Sequence, residues 1–314
     1  ILKTISSLLD FKILRSSALT SFDEIKPCSN SLPSLSIINL EFFIYKLYCI
    51  DNIKMLINNF DPVAFQIISF EIRWYSLAYI VGIIIGWLLC KKIFFQNIEV
   101  KEKFDDYITY LVIGIIVGGR LGYIILYNFN YYINNIFDIF KVWQGGMSFH
   151  GGLMGIFFAS ILYARKNRQN TFLYTDLVSL VAPIGIFFGR LANFINSELY
   201  GTPTDVPWAI TFVQVDNLSR HPSQLYEAIL EGIILFIILI YFRKKNYLMR
   251  PGLISGLFLI FYSIFRFFVE FFRVPDEQLG YLIFKLSMGQ IISLVFLIFG
   301  IIIFYLKNEN KQAN

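Results

Sequence analysis

Gly189-Arg190-Leu191-Ala192-Asn193-Phe194-Ile195-Asn196-Ser197-Glu198-Leu199-Tyr200-Gly201 closes an apolar run that begins near Leu177, and this juxtaposition decides how the chain is read. The run has the length and composition of a membrane-crossing helix. A guanidinium, two carboxamides and a carboxylate at its end are costly where lipid is the solvent, and a chain that keeps them there usually uses them.

Composition outside this stretch agrees. Hydrophobic residues make up 56% of the 314 residues and aromatics 18%, against roughly 45 to 50% apolar in soluble domains; mean hydropathy is +0.61. The apolar residues gather into runs near the roughly 20 residues that span a bilayer. Seven spans are expected, at about 75 to 95, 107 to 127, 148 to 164, 173 to 196, 223 to 242, 252 to 272 and 287 to 306, giving an all-α membrane protein with a small loop region on one side. The formal charge of +5 comes from cations in short loops between spans rather than from a basic stripe, so it argues for topology and against nucleic acid. Lys91, Lys92, Lys101 and Lys103 follow the first span, Arg165, Lys166 and Arg168 the third, and Arg243, Lys244, Lys245 and Arg250 the fifth. By the positive-inside rule these loops are cytoplasmic, the first span starts outside, and the C-terminus is cytoplasmic. Pro183 and Gly185 predict a kink or break in the fourth span. The Val-Gln-Val alternation at 213 to 215 predicts a small hairpin in the outer loop, and the aromatic-rich segment 128 to 147 is expected at the outer interface.

Cys28, Cys49 and Cys90 show no paired spacing, and with only His150 and His221 they assemble no tetrahedral metal set. No metal is expected. Residues 1 to 54 read differently from the rest: Ser-rich, with charges scattered among short apolar groups and no Met before Met55. The expectation is a disordered or non-native extension, with the working domain at 55 to 314 and the native start at Met55.

In this topology Arg120, Arg190 and Arg266 all lie near the outer ends of their spans, and His150 opens the third span on the same side. Tyr262, Arg266, Glu270 and Arg273 share one helical face, as do Arg190, Asn193 and Ser197. A single arginine there also reads as a snorkelling cation that complements the helix dipole. Three together favour a site for an anionic headgroup, because guanidinium matches phosphate bidentately. Glu227 and Glu231, four residues apart, are candidate partners for the arginines.

Several segments resemble the bacterial prolipoprotein diacylglyceryl transferases. The stretch 189 to 201 is similar to the family's signature, Gly145-Gly146-Met147-Ser148-Phe149-His150-Gly151-Gly152-Leu153 to its histidine motif, and Arg220-His221-Pro222-Ser223-Gln224-Leu225-Tyr226-Glu227 and Phe265-Arg266-Phe267-Phe268-Val269-Glu270-Phe271-Phe272-Arg273 to two further segments. Gly118-Gly119-Arg120-Leu121-Gly122-Tyr123 and Trp74-Tyr75 add to it, while Ala192 and Arg73 depart from residues common in the family. The likeness runs from about Phe60 to the C-terminus.

The resemblance implies a multi-pass protein of the bacterial cytoplasmic (inner) membrane. Its implied activity moves the diacylglyceryl group of phosphatidylglycerol to the lipobox cysteine in the signal peptide of a prolipoprotein, with glycerol phosphate leaving. It implies no cofactor. It also implies roles: His150 as general base or orienter, Arg190 and Arg266 on the phosphate, and Tyr75, Arg120, Asn193, Asn196, Glu198, Gly201 and Glu270 around the substrates; Tyr262 is added as a substrate-facing candidate by its place on the Arg266 face. The rivals are a transporter, whose charges would line a path across the membrane rather than gather at one face, and a noncatalytic protein that binds anionic lipid.

Overall fold

A computed structural model describes residues 56–67, 70–94, 103–141, 145–275 and 286–309. They belong to one compact unit, Met55–Asn314; residues 1 to 54 lie outside the description. Strand β1 (Leu56–Asn58) and a hairpin of β2 (Val63–Ile67) and β3 (Phe70–Arg73) precede the helices. Then come α1 (Trp74–Leu89), α2 (Phe104–Tyr127), the short α3 (Phe129–Asn134), α4 (Phe149–Lys166) and α5 (Thr171–Ile195). Strands β4 (Ile210–Phe212) and β5 (Ser219–Arg220) interrupt the helices before α6 (Ser223–Lys244), α7 (Leu253–Val269) and α8 (Met288–Glu309).

Among the described residues six helices are long and apolar enough to cross a membrane: α1, α2, α5, α6, α7 with its 3-10 extension to Phe272, and α8. The remaining expected span, 148 to 164, corresponds to the 18-residue α4. That helix opens on His150-Gly151-Gly152 and closes on Arg165-Lys166, so it is the least apolar of the long helices. It lies along α2 through two stripes of small residues: Gly114, Gly118 and Gly122 on one helix, Gly151, Gly155 and Ala159 on the other. A Cβ on Gly118 would sit 2.7 Å from the Gly155 Cα, and one on Gly122 2.6 Å from the Gly151 Cα. In lipid, where burial alone gives helices little reason to associate, such backbone approach supplies the dispersion contacts that hold them.

Helix α5 runs unbroken through Pro183, so the expected break does not occur. Gly185 on the same helix leaves room for α1, where a Cβ on Gly82 would come within 3.0 Å of the Gly185 Cα. The densest apolar core lies where α1, α4 and α6 finish and α2, α5 and α7 begin. Tyr107, Tyr163 and Tyr174 pack there with ring centroids 4.8 to 5.3 Å apart, against Leu177, Leu180, Leu235, Leu239, Ile254 and Leu257. Nearby, the buried Asp176 carboxylate accepts the backbone N–H groups of Gly252 and Ser255, each at 2.7 Å. It thereby caps α7 from a neighbouring helix, satisfying donors that a helix N-terminus leaves open.

The opposite end carries the strands. β1 pairs parallel with β4, Leu56 opposite Ile210, and β4 pairs antiparallel with β5, Ile210 opposite Arg220. The expected hairpin therefore exists, but Val213-Gln214-Val215 forms its turn rather than a strand. Asn58, buried on β1, donates 2.5 Å to the Phe194 carbonyl in the last turn of α5. This contact ties the small sheet to the 189–201 stretch.

Candidate active site

The end of α5, the start of α6 and the end of α7 meet in one ionic cluster. Arg190 Nε lies 3.0 Å from Glu227 Oε2, and Arg190 Nη2 is 3.6 Å from Glu231 Oε2. Arg266 pairs with the other oxygen of Glu227 through Nη1, approaches Glu231 Oε1 at 4.0 Å and meets Glu270 Oε2 at 2.8 Å. Arg273 Nη1 reaches the same Glu270 oxygen at 3.7 Å. Glu227 thus bridges two arginines from different helices. The carboxylates of Glu227 and Glu231 are fully covered, whereas the Arg190 and Arg266 side chains keep 16% and 11% of their surface; the arginines are the less deeply covered partners. Both glutamates sit at a π-helical turn, Ala228–Ile234, inside α6, a local rewinding often found at functional sites.

From Arg190 a hydrogen-bonded chain leads outward. Arg190 Nη1 donates to Asn193 Oδ1 at 3.5 Å, Asn193 Nδ2 to Glu198 Oε2 at 3.0 Å, and Asn196 Nδ2 to Glu198 Oε1 at 3.4 Å. The backbone carrying Glu198 is strained, because Ser197 and Leu199 adopt φ of 56° and 55°, conformations that cost a non-glycine residue about 1–3 kcal/mol and persist only when the surroundings enforce them. The enforcing contacts are visible. Gln224 Nε2 donates to the Glu198 carbonyl at 2.6 Å and Ser223 Oγ to the Leu199 carbonyl at 2.8 Å.

Gly201 closes the stretch at a backbone crossing. Its N–H donates to the His221 carbonyl at 3.0 Å, and its own carbonyl accepts from Arg220 Nη1 at 3.1 Å. A Cβ there would lie 2.6 Å from the Phe272 carbonyl. Arg220 is further held by Asp216, whose carboxyl this guanidinium keeps below the usual carboxylate range. His221 Nδ1 lies 3.1 Å from the Tyr226 hydroxyl, which accepts the Trp208 indole N–H at 2.7 Å. Partial burial lowers the His221 pKa. In the neutral imidazole the Tyr226 hydroxyl donates to Nδ1 and the ring proton stands on Nε2.

The structure therefore brings together Arg190, Asn193, Asn196, Glu198, Arg266 and Glu270. Tyr262, one turn before Arg266 on α7, lies within electrostatic reach of Arg190, Glu231 and Arg266, and its ring stacks on Phe258 at 5.6 Å. Tyr75 pairs edge-on with Tyr79 at 5.0 Å, and Arg190 and Glu198 both lie within electrostatic reach of Tyr79. His150 stands in the first turn of α4; its side chain lies outside the described residues.

Arg120 does not join the cluster. Its guanidinium is committed to backbone carbonyls of the loop after α2: Asp138 at 2.6 Å, Ile139 at 2.9 Å, Lys141 and Gly146 at 3.2 Å and Gly145 at 2.5 Å. The Tyr132 ring covers it at 5.1 Å. Gly145 and Gly146 have φ of 84° and 78°, a conformation glycine adopts without penalty, and they turn both carbonyls toward the same Nη1. The loop then enters α4, with Ser148 as N-cap accepting from the Gly151 N–H. Arg120 shapes the approach to His150.

Glu227 and Glu231, expected from their spacing as partners for the arginines, do pair with Arg190 and Arg266; that Glu227 bridges both is a contact between helices that spacing does not carry. Asn58, Ser223 and Gln224 carried no signal, since their role is to hold a distant backbone.

A family model described as "Prolipoprotein diacylglyceryl transferase" matches residues 62–306. Among curated relatives, a phosphatidylglycerol–prolipoprotein diacylglyceryl transferase of Rickettsia canadensis (strain McKiel) is 50% identical over 250 residues, covering 78% of this chain and 96% of the relative. Proteins of the same name from Rickettsia felis (strain ATCC VR-1525 / URRWXCal2) and Rickettsia bellii (strain OSU 85-389) are 49% and 47% identical over 250 residues, covering 78% and 79% of this chain and 96% and 95% of those relatives. The matched region contains every element of the ionic cluster, and the chain belongs to the prolipoprotein diacylglyceryl transferase family.

Proposed function

We infer that the chain is a membrane transferase that moves the diacylglyceryl group of phosphatidylglycerol to a prolipoprotein. The observation that carries the reading is the pair of guanidiniums from α5 and α7, held side by side on the Glu227 carboxylate. The acceptor is proposed to be the lipobox cysteine of the signal peptide. Its sulfur forms a bond to the glyceryl carbon as the bond from that carbon to the phosphate oxygen breaks. Glycerol phosphate leaves with the electron pair, and the thiol proton passes to a base or to the departing phosphate.

Two tasks fall to the protein. The thiol, with a reference pKa near 8.5, has to be converted to thiolate, and charge growing on the phosphate has to be met by fixed donors. Arg190 and Arg266 are assigned to the phosphate and His150 to the base or its orientation. Asn193, Asn196 and Glu198 are assigned to orienting Arg190 and the glycerol hydroxyls. Arg120, Tyr75, Tyr262, Glu270 and Gly201 shape the surroundings.

The proposed setting is the bacterial cytoplasmic (inner) membrane, with the cluster at the outer leaflet, the start of α1 outside and the C-terminus in the cytoplasm. The transferase domain is taken as residues 55 to 314. Purified protein mixed with phosphatidylglycerol and a lipobox peptide tests the activity: the peptide is expected to gain the mass of one diacylglyceryl group. A peptide with Ser in place of its Cys gains none, and an unchanged Cys peptide with folded protein rejects the assignment.

A further inference from the structure

The cluster offers an anion less positive charge than its arginines suggest. Among the described residues its ion pairs join Arg190, Arg266 and Arg273 to Glu227, Glu231 and Glu270, three cations against three carboxylates. Glu198 adds a further carboxylate beyond Asn193. A lipid phosphodiester that docks on Arg190 and Arg266 therefore brings an uncompensated negative charge to groups shielded from water. An unpaired buried charge is neutralised by moving a proton in preference to being carried.

The three carboxylates of the cluster are not equivalent. Glu227 is clasped by two guanidiniums, with Arg190 at 3.0 Å and Arg266 closer still. Glu270 Oε1 accepts from Ser287 Oγ at 2.9 Å, and Arg266 Nη2 lies 2.8 Å from its Oε2. Glu231 is fully buried, and neither of its oxygens accepts a hydrogen bond; its contacts with Arg190 and Arg266 are the long ones, at 3.6 and 4.0 Å. The groups that face it are Glu227 on its own helix, Arg190 on α5, and Arg266 and Tyr262 on α7.

Resting on the reading that an anionic phospholipid is the substrate, we propose that Glu231 takes up a proton as the lipid phosphate docks, releasing Arg190 and Arg266 to the phosphate. Glu231 is a positioning residue in this scheme. Glu227 keeps the two guanidiniums side by side throughout, and Glu231 sets the charge balance that admits the anion. The scheme gives the buried carboxylate pair a division of labour that a purely structural ion pair would not have.

Calorimetric titration of the detergent-solubilised protein with short-chain phosphatidylglycerol, in two buffers of different ionisation enthalpy, reads the coupling directly. Wild type is expected to take up about one proton per lipid bound, and its affinity to fall about tenfold per pH unit where uptake is complete. Glu231→Gln is expected to lose the uptake and to bind with an affinity independent of pH. Heat that does not depend on buffer in wild type, or uptake that persists in Glu231→Gln, overturns the proposal. Should the variant fail to insert, the wild-type titration alone decides. Transfer to the peptide is measured separately: proton-coupled binding without transfer rejects the assigned reaction and leaves Glu231's role standing, whereas transfer without proton uptake rejects that role and leaves the reaction standing.

Discussion

Arg190 and Arg266 look alike in the sequence, each a cation near the end of an apolar run, yet their removal is expected to have different consequences. Arg266 pairs with Glu227, Glu231 and Glu270. Arg266→Ala strands buried carboxylates, a change that typically costs about 3–5 kcal/mol, and its thermal midpoint in detergent should fall well below wild type. Arg190→Ala also uncovers Glu227 and Glu231 but leaves both facing Arg266, so the protein should insert with a midpoint lowered less than that of Arg266→Ala while losing transfer. Equal destabilisation by the two substitutions would contradict this ordering. Acid acts at two further residues beside the small sheet. The Asp216 carboxyl is held below its ordinary range by Arg220, and the His221 pKa is lowered by burial. For Asp216 the folded value lies below the unfolded one, so its contribution is present at neutral pH and is lost as pH falls through the folded value. His221 likewise binds its proton more readily when unfolded, so stability falls as pH drops below the ordinary histidine range. Both signs agree: protection of the Ile210–Arg220 amides, taken relative to the intrinsic exchange rate at each pH, should fall on acidification before protection in α5 does.

At the scale of elements, Arg120 and the small-residue stripes matter most. Arg120→Lys keeps the charge but replaces a planar fork with a single ammonium, which cannot serve five carbonyls spread over residues 138 to 146. Proteolysis within the loop between α2 and α4 should accelerate while the helices stay intact; unchanged cleavage would show that the loop holds itself. Helices α1, α2, α5, α6, α7 and α8 were legible because length and hydropathy alone decide what crosses a bilayer. The pairing of Arg190 with Asn193 and of Arg266 with Glu270 was legible too, because helical spacing places residues on faces whatever their neighbours are, while Glu198 entered through the family resemblance. What spacing cannot supply is the partner on another helix. Arg120 read as a third phosphate-facing cation, and only the loop's return, made possible by Gly145 and Gly146, shows where its donors go. The strand positions in the outer loop were misplaced for a related reason. Ile210–Phe212 earns its strand from pairing with β1, some 150 residues earlier in the chain, a contact that local alternation does not record.

For the molecule as a whole, two ends with opposite chemistry organise the function. Tightly packed tyrosines and leucines hold the helices together at one end, and the ionic cluster with its strained 197–199 turn occupies the other. The proposed orientation follows from the Lys and Arg bias of the loops. A fluorescent-protein fusion at the C-terminus should be bright in cells, and a cysteine placed at the exposed Trp208 should react with a membrane-impermeant reagent from outside; the reverse pattern would invert the topology. The central claim is that transfer runs through the guanidinium pair held on Glu227. Its most direct measurement follows the mass of a lipobox peptide with phosphatidylglycerol as donor, wild type and Arg190→Ala side by side in the same vesicles. The account expects diacylglyceryl gain with wild type and a rate at least ~100-fold lower for the variant, with helical content preserved. Equal rates for the two proteins would contradict it.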